Sequence, residues 1–150
     1  MSGAAVRFGF SDARIRQHLA MLAIADTEGF EGVRREIGEY LVGEVQDCLD
    51  GQKLFDGSAM PQSAAAIART GKTLIEKHHL YDSYVYQLVG ADGIEVGSNR
   101  VYAAIYHFGG ETGRSGARFT MQARPVLGIT ERHERRLGDF LIAEIQRLPA

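Results

Sequence analysis

Residues 81–89 read Tyr-Asp-Ser-Tyr-Val-Tyr-Gln-Leu-Val and residues 94–96 read Ile-Glu-Val, with Ala91-Asp92-Gly93 between them. Aromatic and β-branched side chains fit a pleated surface, and the intervening residues supply turn chemistry, so the segment predicts a β-hairpin. In its first strand Tyr81, Val85 and Val89 point one way, and Tyr84, Tyr86 and Leu88 the other. Both faces are apolar. A strand solvated on one side alternates cleanly between apolar and polar residues, so this one calls for cover on both sides, from the chain's own helices and from another subunit.

The cover has to come from helices, and the sequence offers three. Ser11 stands as the N-cap of a helix through Ile15, Leu19, Leu22 and Ala23. After a break at 26–32, Val33, Ile37, Tyr40, Leu41, Val45, Cys48 and Leu49 recur at helical spacing up to a stop at Gly51. At the other end Thr130 caps a helix with Ile129, Leu137, Phe140, Leu141, Ile145 and Leu148 on its apolar side. Gly138 inside that helix costs about 1 kcal/mol relative to alanine, which implies close packing against something. Between these elements the pattern is weaker. Asp56-Gly57 and Met60-Pro61 mark turns, 63–69 is at most a two-turn helix, and little core is expected from 51–73. Residues 100–108 fit a short helix or a strand. Residues 109–118 hold four glycines, several charges and no apolar anchor, a composition for a mobile loop, and 119–123 is a further candidate strand. Arg124 is extended because Pro125 follows it.

Size and charge limit the function. A chain of 150 residues without an internal linker or repeat is one ordinary domain, 1–150. The single cysteine, Cys48, lies on an apolar stripe and fits a small buried hydrophobe better than a reactive thiol. No apolar run approaches the roughly 18 residues that cross a bilayer, and the first ten residues do not form a leader, so neither membrane insertion nor secretion is expected. A formal net charge of -2 offers no basic field for duplex DNA.

Chemical motifs are weak. Thr70-Gly71-Lys72-Thr73 imitates the end of a phosphate-binding loop, but Ala66 stands where that loop needs glycine and no buried strand precedes it. A helix-terminating role for Gly71 fits better. Neither His78 and His79 with Glu76, nor His107 with Glu111, has the helical spacing that converges on one metal ion. No serine sits in a nucleophile elbow. The expectation is a non-enzymatic chain with no cofactor, no metal and no catalytic residue. A small metal- or nucleotide-binding enzyme and a monomeric host-encoded binding module are the alternatives.

In the second half Val96-Gly97-Ser98, Tyr102-Ala103, Ile105-Tyr106-His107-Phe108-Gly109-Gly110 and Ala123-Arg124-Pro125-Val126-Leu127-Gly128 precede the final helix. In that order, with Asp56-Gly57-Ser58 and Leu80-Tyr81-Asp82-Ser83 upstream, they resemble the phage virion morphogenesis family, which includes the tail-completion proteins of Mu-type phages. The resemblance covers roughly residues 27–148. It implies an α+β, tail-terminator-like fold, a small and mainly antiparallel sheet packed against two or three long helices. It also implies a homo-oligomeric ring, commonly hexameric, that completes or terminates the tail and joins it to the head. The partners implied are sister copies, the tail tube protein and the head-tail connector proteins, with DNA passing through the ring without specific binding and no membrane contact. Such a chain is made in the host cytoplasm and ends in the virion, at the tail or neck. Aromatic and arginine side chains concentrate contact energy, so the interface residues expected are Tyr84, Tyr86, Tyr102, Tyr106, Phe108, Gly109, Gly110, Arg114, Arg118, Phe119 and Arg124.

Overall fold

The computed structural model describes residues 13–27 and 30–148; the apolar stretch at 4–10 and the cap expected at Ser11 lie outside them. Helix α1 (Ala13–Thr27) leads to α2 (Glu31–Asp50), the short α3 (Ala64–Ala68), a 3-10 turn (Tyr81–Ser83), strands β1 (Tyr84–Val89) and β2 (Gly93–Ser98), helix α4 (Ala103–Phe108), strands β3 (Gly110–Thr112) and β4 (Phe119–Met121), and α5 (Glu131–Arg147). The fold is α+β. Its sheet component is divided into two antiparallel hairpins, β1-β2 and β3-β4, which do not join. Residues 103–108, open between helix and strand in sequence, are helical.

Helix α2 is the floor of the domain. It packs against β1, β2 and α5, while α1 is not part of that set of contacts. In β1 the burial alternates, with Tyr84, Tyr86 and Leu88 turned to α2 and Val85, Gln87 and Val89 turned out. Gly38 makes the approach possible. A Cβ there would lie 2.3 Å from the Tyr86 ring, so the aromatic face rests on bare helix backbone. At the N-terminal end of α2 the buried guanidinium of Arg34 donates from Nη1 to Gly93 O at 3.1 Å and Gly90 O at 3.4 Å, tying the hairpin turn to the helix. Among the described residues the hairpin is covered on this face alone. Val85 is 61% exposed and Val89 lies open beside it, so the cover expected for the second face is not supplied by the chain's own helices.

The main core joins Val45 and Leu49 of α2 to Met60, Ile75, Leu80, Tyr84 and Val126. Met60, Ala66 and Thr73 are all buried, so the segment 51–73 contributes more core than its weak periodicity predicts. How α2 stops explains this. Gln52, at φ 52°, takes the left-handed position that a glycine would normally hold, and Gly51 stays right-handed. Gln52 N–H bonds to Leu49 O and Lys53 N–H to Cys48 O, the two hydrogen bonds of a Schellman stop. The Gln52 side chain then donates to Thr73 O at 3.1 Å and accepts from Thr73 N–H at 2.6 Å, which pins the middle segment to the end of α2. The same substitution recurs after α3, where Thr70, at φ 52°, turns the chain in place of Gly71, and Gly71 N–H bonds to Ala66 O. A glycine could make both turns at lower backbone cost but could not carry the Gln52 side-chain bonds.

Helix α5 lies against α2 through stacked and charged contacts. The Tyr40 and Phe140 rings are 5.6 Å apart, and the Arg136 guanidinium sits 4.6 Å above Phe140. Thr130 N–H donates to His133 Nδ1 at 3.0 Å, which places the imidazole proton on Nε2, 3.1 Å from the Glu44 carboxylate. Arg132 bonds to the same carboxylate. Glu44 is therefore held below the usual glutamate value of 4.5, chiefly by the hydrogen bond from Arg132 and less by His133, against the opposing effect of burial.

Two outcomes follow from these contacts. Gly38→Leu is expected to lower stability by about 1–3 kcal/mol through overpacking against Tyr86. Gly43→Ala, on an open part of the same helix, should raise it by roughly 1 kcal/mol; urea denaturation of both variants checks the contrast. Because Glu44 binds its proton less readily folded than unfolded, its stabilisation is complete above about pH 4.5 and is lost as the pH falls through the lower folded value. Glu44→Gln should flatten that acid limb in thermal melts taken between neutral and acid pH.

Candidate interface surfaces

The eleven residues expected at an interface fall into three environments. Tyr84 belongs to the core, only 4% exposed, and burial pushes its phenol up to about 12. Arg124 is also spent inside the domain, 6% exposed. Its Nε donates to Pro61 O at 2.6 Å, Nη1 to Gln122 O at 3.1 Å and Nη2 to Gln62 O at 3.3 Å, so one guanidinium fastens the strand before α5 to the turn at Met60-Pro61. Tyr86 is half-buried over Gly38. These three side chains build the subunit.

Tyr102, Tyr106 and Phe119 are brought together with the edge of Arg124 in a cleft of about 740 Å³ between α4, β4 and the segment 63–80. The Tyr102 and Tyr106 rings stand 5.6 Å apart at a tilt, and Phe119 is 55% exposed beside them. Lys77 and His79 line the same cleft. It combines aromatic walls with a polar margin, the composition of a protein-docking surface.

Phe108, Gly109, Gly110, Arg114 and Arg118 belong to an arm. Residues 109–118, expected as a loop, contain β3 and the tip of the β3-β4 hairpin, and of residues 113–120 every one is exposed. Gly109, at φ 70°, sits where the arm crosses its own root: a Cβ there would lie 2.7 Å from Ala123 N and 2.8 Å from Met121 O, so the crossing requires glycine. Phe108 at that root is 78% exposed, touched by the edge of His107 at 4.6 Å. Along the arm Arg118 and Glu111 approach to 3.9 Å in solvent, an ion pair worth little. The imidazole of His107 is held below its usual value by burial.

Two further open surfaces were missed from the sequence. A groove of about 730 Å³ runs between α2 and the outer edge of β1, lined by Arg35, Glu39, Val42, Gly43 and Gln46 and by residues 84–88; the Arg35 guanidinium is bonded to Glu31, which leaves the Glu39 carboxylate without a charged partner among the described residues. Its signal in the sequence is the unusual presence of Gly32, Gly38 and Gly43 inside one helix, of which only Gly38 meets a side chain. On α5, Leu141, Ile142 and Ile145 are exposed, and a Cβ added at Gly138 would meet nothing within 4 Å, so the packing its presence implied is not found among the described residues.

Among the described residues no group of three or more His, Cys, Asp or Glu side chains converges as a metal site. Cys48 is half-buried, its Sγ 3.6 Å from Leu54 O, and burial raises its thiol above the ordinary value. No described helix is long and apolar enough to cross a membrane.

No curated protein and no solved structure matches the chain. The phage virion morphogenesis family matches it over residues 10–146, which takes in every described strand and helix except Arg147, the last residue of α5. With that match across nearly its whole length, the chain belongs to the phage virion morphogenesis family, as a structural component of the virion.

Proposed function

We propose that this chain is a ring subunit, commonly one of six, that completes or terminates the phage tail and joins it to the head. The observation that carries the reading is the presence of unlike open surfaces on one small domain: the outer face of the β1-β2 hairpin with Val85 and Val89, the exposed arm with Phe108, and the aromatic cleft of Tyr102, Tyr106 and Phe119. A ring needs two different surfaces per subunit, because head-to-tail contacts are heterologous. A third surface is then left to face the tail tube or the connector. The residues proposed for these contacts are Tyr102, Tyr106, Phe108, Arg114, Arg118 and Phe119, with Gly109 and Gly110 shaping the arm; Tyr84, Tyr86 and Arg124 act behind them as supports. Work is done by binding free energy alone. With a net charge of -2, the ring lets DNA pass without holding it.

Removing the gene from the phage that carries it should leave filled heads together with unjoined tails or tails of abnormal length, counted by negative-stain microscopy. Normal virions from the deletion would refute the reading.

A further inference from the structure

The arm and the groove are both incomplete. Strand β1 is six residues long and reads Tyr-Val-Tyr-Gln-Leu-Val, with no lysine, proline or bulge, and among the described residues it pairs with β2 alone. Monomeric proteins blunt such edges with those devices, so a long, flat, uncharged edge is a template for another strand. Five consecutive residues of β1 line the groove, which means that the strand presents its main chain there as well as its side chains. The floor beside it holds Gly43, where an added Cβ would meet nothing within 4 Å. Five residues earlier in the same helix, Gly38 seats the ring of Tyr86. Gly43 is an unfilled seat of the same kind.

The arm has the complementary defects. A two-stranded ribbon is marginal in water by itself, and among the described elements β3 and β4 pack chiefly against each other. Phe108 at its root lacks apolar cover. Arg114 near its tip has no ion-pair partner among the described residues, and neither has Glu39 in the groove.

We infer that the arm of one subunit docks in the α2-β1 groove of the next, with β3 adding to the open edge of β1, Phe108 covering Gly43 and Val42, and Arg114 facing Glu39. This rests on the ring reading and gives it a specific contact. Main-chain hydrogen bonds along β1 hold the arm, as in other strand-addition complexes, and the ring and the ion pair fix its register. Because arm and groove are different surfaces, each docking leaves one of each free, and addition continues until the ring closes.

The test is directional cross-linking in full-length protein carrying Cys48→Ser. One preparation carries Arg114→Cys, a second carries Glu39→Cys, and a third carries both; each is treated with a short bis-maleimide. A dimer is expected from the mixture of the first two and from neither alone, and a ladder ending at the ring size from the third. Arg114→Cys and Glu39→Cys each remove one charge, so assembly of the mixture is expected to weaken by no more than about five-fold. Dimers from Glu39→Cys alone would mean that β1 edges pair with each other, and an intramolecular product from the double variant would mean that the arm fills its own groove; either overturns the inference. Gly43→Leu supplies a second readout. It should fold with an unchanged or higher melting temperature and lose at least ten-fold in self-association by sedimentation. If wild-type protein sediments as a ring, yet no arm-to-groove product forms and Gly43→Leu assembles normally, the inference fails and the ring reading stands. A chain that remains monomeric and yields no product loses both.

Discussion

Helix α2 carries the domain because nothing else in it can close a core. A two-stranded ribbon buries one face at most, and both sheets here are two-stranded. Tyr84, Tyr86 and Leu88 find their apolar contact on α2, Val45 and Leu49 supply its share of the main core, and Tyr40 and Glu44 receive α5. The closeness of the first contact depends on the missing side chain of Gly38. With a larger residue there the hairpin lifts, and Tyr84 with it, so the core and the groove beside β1 change together.

Polar side chains do much of the work that strand ladders do in larger sheets. Arg34 holds the hairpin turn, Gln52 holds Thr73, and Arg124 holds the Met60-Pro61 turn, each by hydrogen bonds to backbone groups far away in sequence. Each side chain also supplies a hydrogen-bond partner to main-chain groups of a turn or loop. This lets residues 51–80, with only one short α-helix, form part of a packed interior.

Local rules were enough to recover the hairpin, α2, α5 and the Asp56-Gly57 turn from sequence, because those elements are set by periodicity and turn chemistry. The helical stop read at Gly51 falls one residue early and the one read at Gly71 one residue late, since Gln52 and Thr70 take the left-handed backbone, at Gln52 with a cost offset by side-chain bonds that no local pattern reveals. The buried role of Met60 was hidden for the same reason. Arg124 looked like a surface anchor because arginine usually is one, and its three acceptors, on Pro61, Gln62 and Gln122, become neighbours only in the folded chain. Of the open surfaces, the aromatic arm and cleft were legible as exposed Phe and Tyr. The groove was not, for it is defined by two glycine positions and a strand edge, and an absent side chain gives little signal in composition.

A bare strand edge is an indiscriminate receptor: amide and carbonyl groups are the same in every polypeptide, so in the proposed docking the outer rim of β1 would accept any extended segment of suitable length. Selectivity then falls to the few atoms below it. An uncovered stretch of helix at Gly43 would favour a flat ring over a branched side chain, and the Glu39 carboxylate, with Arg35 of the same trough already tied to Glu31, would favour a basic residue. Affinity and choice of partner are thus carried by different parts of the same trough, and each can drift in evolution without dismantling the other.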